Sequence, residues 1–430
     1  MKTLNAAIFI LCSLLMISCN KLDSEKLENN INASSPTPSV EIPKVSLSEE
    51  QKGFVESGNG MAFKFLQGLY DNENVVCSPL SLQYALSMVA NGASGETLQE
   101  ITDFLGYGEE GIEVLNQYCK ILMEQLPAVD LDVTLKVVNG VLVNEECPLL
   151  PAFENTVEQN YYAAVESMDF SNPEKVAAKI NDWASRSTNG FIDNVLEPSQ
   201  ISDQAVAFIM NALYFKSQWA GNEYEPMFLE DNTISEDFYL TNGSIAEVEM
   251  MRNTRFHQYA EMDGYKVLVL PYAQGKYNMY IILPDENNID GLITKLQSTA
   301  WSEVLASLKQ DAMVHVKLPK FTIENKFDLK ETLMDLGIVR AFNPANAQFD
   351  KMFDSIEQFM IGKVIQKSKI GVSEWGTEAG SVTVIETDYG SSPGDDEYKE
   401  INFHADHPFV FVIGEETSGT ILFEGVVTRP

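Results

Sequence analysis

The chain has 430 residues, 45% of them hydrophobic, with 63 Asp and Glu against 29 Lys and Arg and a formal net charge of -34. That hydrophobic share suits a globular protein with a substantial core. Its charge repels phosphate backbones and anionic headgroups, which sets nucleic acid aside as a partner. The first segment, MKTLNAAIFILCSLLMISCNKLD, places Lys2 before an apolar run at residues 6–17 and a small residue, Ser18, before Cys19. The run is short for a bilayer span and has the flanks of a targeting segment. Ile17, Ser18 and Cys19 resemble a bacterial lipobox, with Cys19 as the lipidated first residue of the mature chain. An ordinary secretory signal is the alternative. Residues 20–46 are polar, proline-bearing and aperiodic, as a disordered tether would be. The expected division is therefore a signal at 1–18, a lipidated tether at 19–46 and one domain at 47–430.

Within the domain, apolar periodicity predicts a helix over 48–70, with Phe54, Met61, Phe65 and Leu66 among its inward residues. Ser78 and Pro79 read as the cap and first position of another. A further helix is expected at 174–190. Strands are expected at 133–143, 205–219, 266–273, 278–284, 313–321, 409–414 and 420–427. Helices come early and strands late, which indicates an α+β fold. Cys77, Cys119 and Cys147 match no zinc or disulfide spacing and are expected as free thiols.

Chemical motifs are sparse. GYGEEG at 106–111 has the glycine spacing of a dinucleotide site. It comes after a helix, not a strand, and Glu109 and Glu110 would repel a pyrophosphate. His404 and His407 flank Asp406, but residues three apart before a strand point to opposite faces. No metal site is expected, and no nucleophile is marked by a neighbouring base, so no catalytic residue is assigned.

The unusual stretch is EWGTEAGSVTVIETDYGSSPGDDEYKE at 374–400. Taken with period two, Thr377, Ala379, Ser381, Thr383, Ile385 and Thr387 form an uncharged, mostly small face. The opposite face has Glu378, Gly380, Val382, Val384 and Glu386. Gly376 offers a point where the backbone can reverse. The second half, DYGSSPGDDEYKE at 388–400, is acidic and turn-forming, hence exposed.

Across residues 48–430 the sequence resembles the serpin superfamily. The resemblance rests on ordered motifs: NVVCSPLSLQYALSMVANGASGETLQEI at 74–101, NGVLVNEECPLLPAF at 139–153, INDWASRSTNGFI at 180–192 and NALYFKSQWA at 211–220. It continues through Thr233 with Phe238, MM at 250–251, LPYA at 270–273, IILPDE at 281–286, VKLPKF at 316–321, FHADHPFVFVI at 403–413 and SGTILFEGVV at 418–427. It implies helices around three β-sheets, a metastable native state and an exposed reactive loop that inhibits serine proteases as a suicide substrate. Papain-like cysteine proteases are a further target class. On this resemblance Gly376, Thr377, Glu378, Ala379, Gly380, Ser381, Val382 and Thr383 form the loop hinge. Ser78, Ser81, Asn211 and Gln366 occupy the shutter, the family's central polar cluster, and Trp219 the breach. Gln366 stands where the family usually has a histidine, and Trp375 where an acidic residue usually precedes the hinge glycine; its bulk is expected to slow insertion.

The scissile bond falls between Gly390 and Ser391 counted from the hinge, or between Gly394 and Asp395 counted back from Phe403. Gly390 suits an elastase-like target and Tyr389 a chymotrypsin-like one. The competing function is a non-inhibitory binding or carrier protein whose loop is only a substrate. A covalent complex with a target protease, a monomer, a membrane tie through lipid alone, a cell-envelope or secreted location, no cofactor and no heparin dependence complete the expectations.

Overall fold

The computed structural model describes residues 44–107, 111–202, 204–221, 225–353, 359–377 and 399–430. The early helices end where local chemistry stops them. Ser48 caps α1 (Glu49–Leu69): its hydroxyl accepts from the Gln51 amide at 3.2 Å, and the Gln51 side chain accepts from the Ser48 amide at 3.0 Å. After β1 (Val75–Cys77), Ser78 caps α2 (Pro79–Gly92), with proline at the first position where its missing N–H goes unnoticed. α3 (Gly95–Leu105) closes on Gly106 at φ 75°, and Gly111 precedes α4 (Ile112–Gln125). The first glycine of the GYGEEG stretch thus ends one helix and the last opens the next, which is not the strand-to-helix turn that a pyrophosphate needs.

Next along the chain come β2 (Thr134–Asn144), α5 (Pro151–Tyr161), β3 (Ala164–Met168) and α6 (Pro173–Ser187), then the long β4 (Ala207–Gln218). α6 stops short of the expected 190 because the Thr188 hydroxyl turns back to the Ala184 carbonyl at 2.8 Å and accepts the Ile192 amide at 2.9 Å. The second half brings β5 (Ile234–Tyr239), β6 (Ile245–Met262), β7 (Tyr265–Tyr272), β8 (Tyr277–Pro284), α7 (Ile289–Leu296), α8 (Trp301–Ser307), β9 (Lys309–Pro319) and β10 (Phe321–Asp328). It ends with α9 (Lys330–Asp335), β11 (Ile365–Ser373), β12 (Gly376–Thr377), β13 (Lys399–His404), β14 (Phe409–Glu415) and β15 (Ile421–Val427). The strand expected at 313–321 is divided: the Lys320 amide bonds the Glu249 carbonyl of β6, and the chain leaves one sheet for the other there.

One sheet has six strands in the order β10-β11-β12-β4-β2-β3. The other ladder runs β1-β15-β14-β8-β7-β6-β9-β13, with β5 on β6. β6 is 18 residues long and serves both parts of this ladder, pairing β5 and β9 along its first two thirds and β7 at its end. With the six-stranded sheet, these two parts make the three sheets of the expected α+β fold. β8, β14 and β15 are buried at every residue, because they are covered on both faces. Phe321 of β10 packs on Phe411 and Phe409 of β14, with ring centres 5.6 and 6.0 Å apart, and so joins the six-stranded sheet to the strands behind it.

Candidate functional site

The site grows from the end of β11. Ser373 pairs with Gly376 and Val372 with Thr377, so Glu374 and Trp375 form a two-residue reversal. β12 then lies between two strands that run parallel to each other, antiparallel to both. On its far side Gly376 pairs with Gln218 and Thr377 with Ser217. Among the described residues, the ladder between β4 and β11 runs through these two residues. Only glycine fits the first position. Gly376 has φ 133°, and a Cβ there would sit 2.2 Å from the Ser217 carbonyl oxygen and 2.7 Å from the Gln218 Cα.

Thr377 is 3% exposed, and its hydroxyl bonds the Tyr272 hydroxyl. Beneath it lies an aromatic floor. Tyr272 stacks on Trp219 at 4.6 Å and 10° and meets Phe215 edge-on at 5.1 Å. The Trp219 indole donates to the Ser373 carbonyl at 2.8 Å, and its amide to the Trp375 carbonyl at 3.3 Å. Trp219 thus holds both ends of the reversal.

The side chains of the reversal point apart. Glu374 is buried, accepts the Thr233 hydroxyl at 2.7 Å and faces the Lys320 ammonium at 3.4 Å. Lys320 is shared with Glu249, also at 3.4 Å. Burial pushes the Glu374 carboxyl up, but the Thr233 hydroxyl, its own amide and Lys320 together outweigh burial and hold it below its ordinary value. Trp375 is half-exposed and donates from Nε1 to Glu230 at 3.0 Å. Its ring lies at the surface, outside the ladder between β4 and β11.

Lower down, Ser78, Ser81, Asn211 and Gln366 meet. The Ser78 hydroxyl donates to the Leu422 carbonyl at 2.7 Å and accepts the Ser81 amide at 3.1 Å. Gln366, from β11, grips the Ser78 backbone twice, accepting its amide at 3.1 Å and donating to its carbonyl at 2.9 Å. The Ser81 hydroxyl bonds Asn211 of β4. Asn211 donates onward to Asn139 at 2.7 Å, and Asn139 to the Tyr161 carbonyl at 2.8 Å. The α2 start therefore ties to both strands that flank β12. Tyr272, Glu374, Thr233, Lys320 and Asn139 are members that the sequence reading did not assign. Their signals were present within LPYA, at the start of EWGT, within VKLPKF and at the start of NGVLV.

Glu378, Ala379, Gly380, Ser381, Val382, Thr383, the scissile-bond candidates Tyr389, Gly390, Ser391, Gly394 and Asp395, and Cys19 with the rest of residues 1–43 lie outside the described residues. His407 bonds Asp406 and the Pro284 carbonyl, each at 2.9 Å, while His404 ends β13 opposite Lys317. Among the described residues no three His, Cys, Asp or Glu side chains gather as metal ligands, and no helix is long and apolar enough to cross a membrane. Cys77 and Cys119 are buried free thiols and Cys147 is a half-buried one.

Comparison with known proteins agrees with this arrangement. A family model described as Serpin (serine protease inhibitor) matches residues 56–430. Serpin-Z2B of Triticum aestivum is 32% identical over 385 residues, which is 86% of this chain and 94% of that one. The native-state crystal structure of tengpin, a thermophilic serpin, superposes with a TM-score of 0.78 at 28% identity, covering 90% of this chain and 96% of its own. Human thyroxine-binding globulin complexed with its hormone has the same fold, with a TM-score of 0.78 at 23% identity over 89% of this chain and 99% of that one.

Proposed function

The chain belongs to the serpin family, and from that premise we propose that it is a suicide-substrate inhibitor of serine proteases with elastase-like or chymotrypsin-like specificity, and of papain-like cysteine proteases. The observation that carries this reading is the place of Gly376 and Thr377, already paired between β4 and β11. A strand that begins in a slot can lengthen down it. In the register set by Thr377 opposite Ser217, ten further residues would bring Thr387 opposite Ala207, the first residue of β4. The slot and the proline-free stretch 376–387 therefore match in length. They match in face as well. Thr377 points inward with Val372, Ile370, Ser368 and Gln366, so the small uncharged face would enter the interior.

The protease nucleophile attacks a carbonyl within 388–395, the peptide bond breaks, and the new amino end leaves with the C-terminal half. The N-terminal half remains esterified to the protease. Freed of its far anchor, it enters the slot and carries the protease with it. Each inserted residue adds ladder bonds worth about 0.5–1.5 kcal/mol net, and with burial the gain is on the order of 10 kcal/mol or more. Trapping is then effectively irreversible, and the uncleaved state is held by a barrier.

The N-terminal segment would supply the setting. Cys19 would carry the lipid, the stretch to residue 46 would act as a tether, and a single copy would patrol the outer membrane, cell surface or adjoining fluid. The test mixes the protein with an elastase-like and a chymotrypsin-like protease. A denaturant-resistant complex of summed mass is expected. A loop cut cleanly, with free active protease, would instead favour the carrier or binding reading.

A further inference from the structure

β5 ends its part of the ladder, with β6 on one side and no strand on the other among the described residues. Two bonds show which way its backbone groups point. The Tyr239 amide turns away from β6 and donates to the Asp406 carbonyl at 2.7 Å. The Glu249 carbonyl turns away from β5 and accepts the Lys320 amide at 2.9 Å. Tyr239 lies opposite Ile245 and Ser235 opposite Glu249, so both are pairs with no backbone bond between them. Asp237, midway along and opposite Glu247, is a third. The N–H and C=O groups of Ser235 and Asp237 therefore point outward from the edge. Both residues are exposed, and neither backbone has a partner among the described residues.

An edge of this kind usually carries a proline, a lysine or a bulge that keeps other strands away. β5 reads ISEDFY and pairs with β6 in unbroken register, so it has none of these. Glu236 is on its other face, bonded to Arg252 and Lys317. Asp237 is left, and its charge is selective. It repels a second copy of a chain with a net charge of -34 and attracts a cation.

The face beside the edge has the same character. Side chains stand closest in pairs without backbone bonds, so the carboxylates of Asp237 and Glu247 oppose each other at close range. Neither has an ion-pair partner among the described residues, and Glu247 accepts only the Ser235 hydroxyl there. Glu249, one pair along, has the Lys320 ammonium at 3.4 Å. Like charges placed opposite each other cost stability, and a cation laid between them removes that cost. Tyr239 and Ile245, 47% and 57% exposed, form an apolar step at the far end. The edge closes there, because Asn287 Nδ2 donates to the Tyr239 carbonyl at 3.0 Å.

We propose that the Ser235–Asp237 edge of β5 is a docking site for an extended, lysine- or arginine-bearing segment of another protein, which adds as a strand outside β5. Its backbone pairs with the free N–H and C=O groups of Ser235 and Asp237. Alternate cationic side chains lie over Asp237 and Glu247, and an apolar residue rests on Tyr239 and Ile245. The slot between β4 and β11 is in the other sheet, so this site can be tested whether or not the protein traps a protease.

The probe is a short fluorescent peptide of alternating lysine and threonine, titrated into the full-length protein and followed by anisotropy. Two further peptides are N-methylated at the lysines or at the threonines, which keeps every charge and removes the donors of one edge at a time. Ser235→Pro removes an edge N–H that β6 does not use, and Asp237→Asn with Glu247→Gln removes the opposed charges. The parent peptide should bind and should protect the Ser235 and Asp237 amides from hydrogen exchange. One methylated peptide should lose about tenfold in affinity and the other little, since a strand turns one edge to β5. Ser235→Pro should also lose about tenfold, and the neutral variant should bind more weakly with a shallower salt dependence. Equal binding by all three peptides would show attraction by charge alone and overturn the proposal. Binding that leaves the Ser235 and Asp237 amides unprotected, or no binding at all, would overturn it too. The methylated peptides decide the matter on the wild type even if Ser235→Pro does not fold.

Discussion

Thr377→Arg places a cation where the structure has room for a small hydroxyl. Thr377 is 3% exposed, flanked by Ser217 and Val372 and set on Tyr272. No carboxylate is bonded there among the described residues, so an inserted guanidinium would be buried and unpaired, at a cost of about 3–5 kcal/mol. In the uncleaved protein the two-residue strand can simply leave the slot, and the fold should survive with its global unfolding little changed. After cleavage there is no such escape. Insertion must carry the charge past the aromatic floor, and every 1.4 kcal/mol added to its barrier slows it about tenfold. Even the lower figure means insertion on the order of 100-fold slower, while hydrolysis of the acyl-enzyme keeps its own rate. The variant should turn into a substrate, consuming many molecules per protease inactivated. The assay is the stoichiometry of inhibition, read together with the yield of denaturant-resistant complex, with Thr377→Ser as the conservative control. A full complex yield from Thr377→Arg would refute insertion by this path.

Gly376→Val should expel β12 even before cleavage, since its φ and the 2.2 Å approach to the Ser217 carbonyl admit no side chain; quenching of Trp219 and Trp375 fluorescence should report the change, and unchanged quenching would contradict it. Glu374→Gln removes the charge that Lys320 and Thr233 hold. Because the folded carboxyl lies below its ordinary value, its stabilisation is present at neutral pH and lost as pH falls through that value. The variant should therefore melt earlier at neutral pH, by about 1–2 kcal/mol, and match the wild type in acid, as calorimetry at two pH values would show. Heparin should leave inhibition rates unchanged, because Lys120 is the sole basic residue of α4 and its ammonium already bonds the Gln159 carbonyl. A rate that rises and then falls as heparin is titrated would reveal a cationic surface built from other elements.

Local chemistry was legible in the sequence and long-range chemistry was not. The starts of α1 and α2 depend on Ser48, Gln51, Ser78 and Pro79, each pair within one helical turn, and they fall where those residues place them. Gly376 was legible as a special backbone position, but the reversal itself falls one residue earlier, at Glu374 and Trp375, and the glycine is required by its φ of 133° and the close approach of Ser217. β6 escaped notice because Glu247, Glu249, Arg252 and Arg255 interrupt its apolar residues as it passes between two parts of a ladder. Tyr272 and Glu374 could not be assigned from pattern alone: their partners Thr377 and Thr233 are 105 and 141 residues away. The polar cluster at the start of α2 was a different case. Ser78, Ser81, Asn211 and Gln366 come from distant stretches, and resemblance alone gathered them before the structure did.

In the mechanism proposed for this protein, a cut loop becomes a new strand between β4 and β11. Nicking the chain between residues 388 and 395 with a catalytic trace of protease, removing the protease and recording thermal unfolding measures that step directly. Insertion adds two rows of ladder hydrogen bonds and buries the Thr377 face, so the nicked protein should melt well above the intact one. A nicked protein that melts at the same temperature, or lower, would show that the slot does not take the loop.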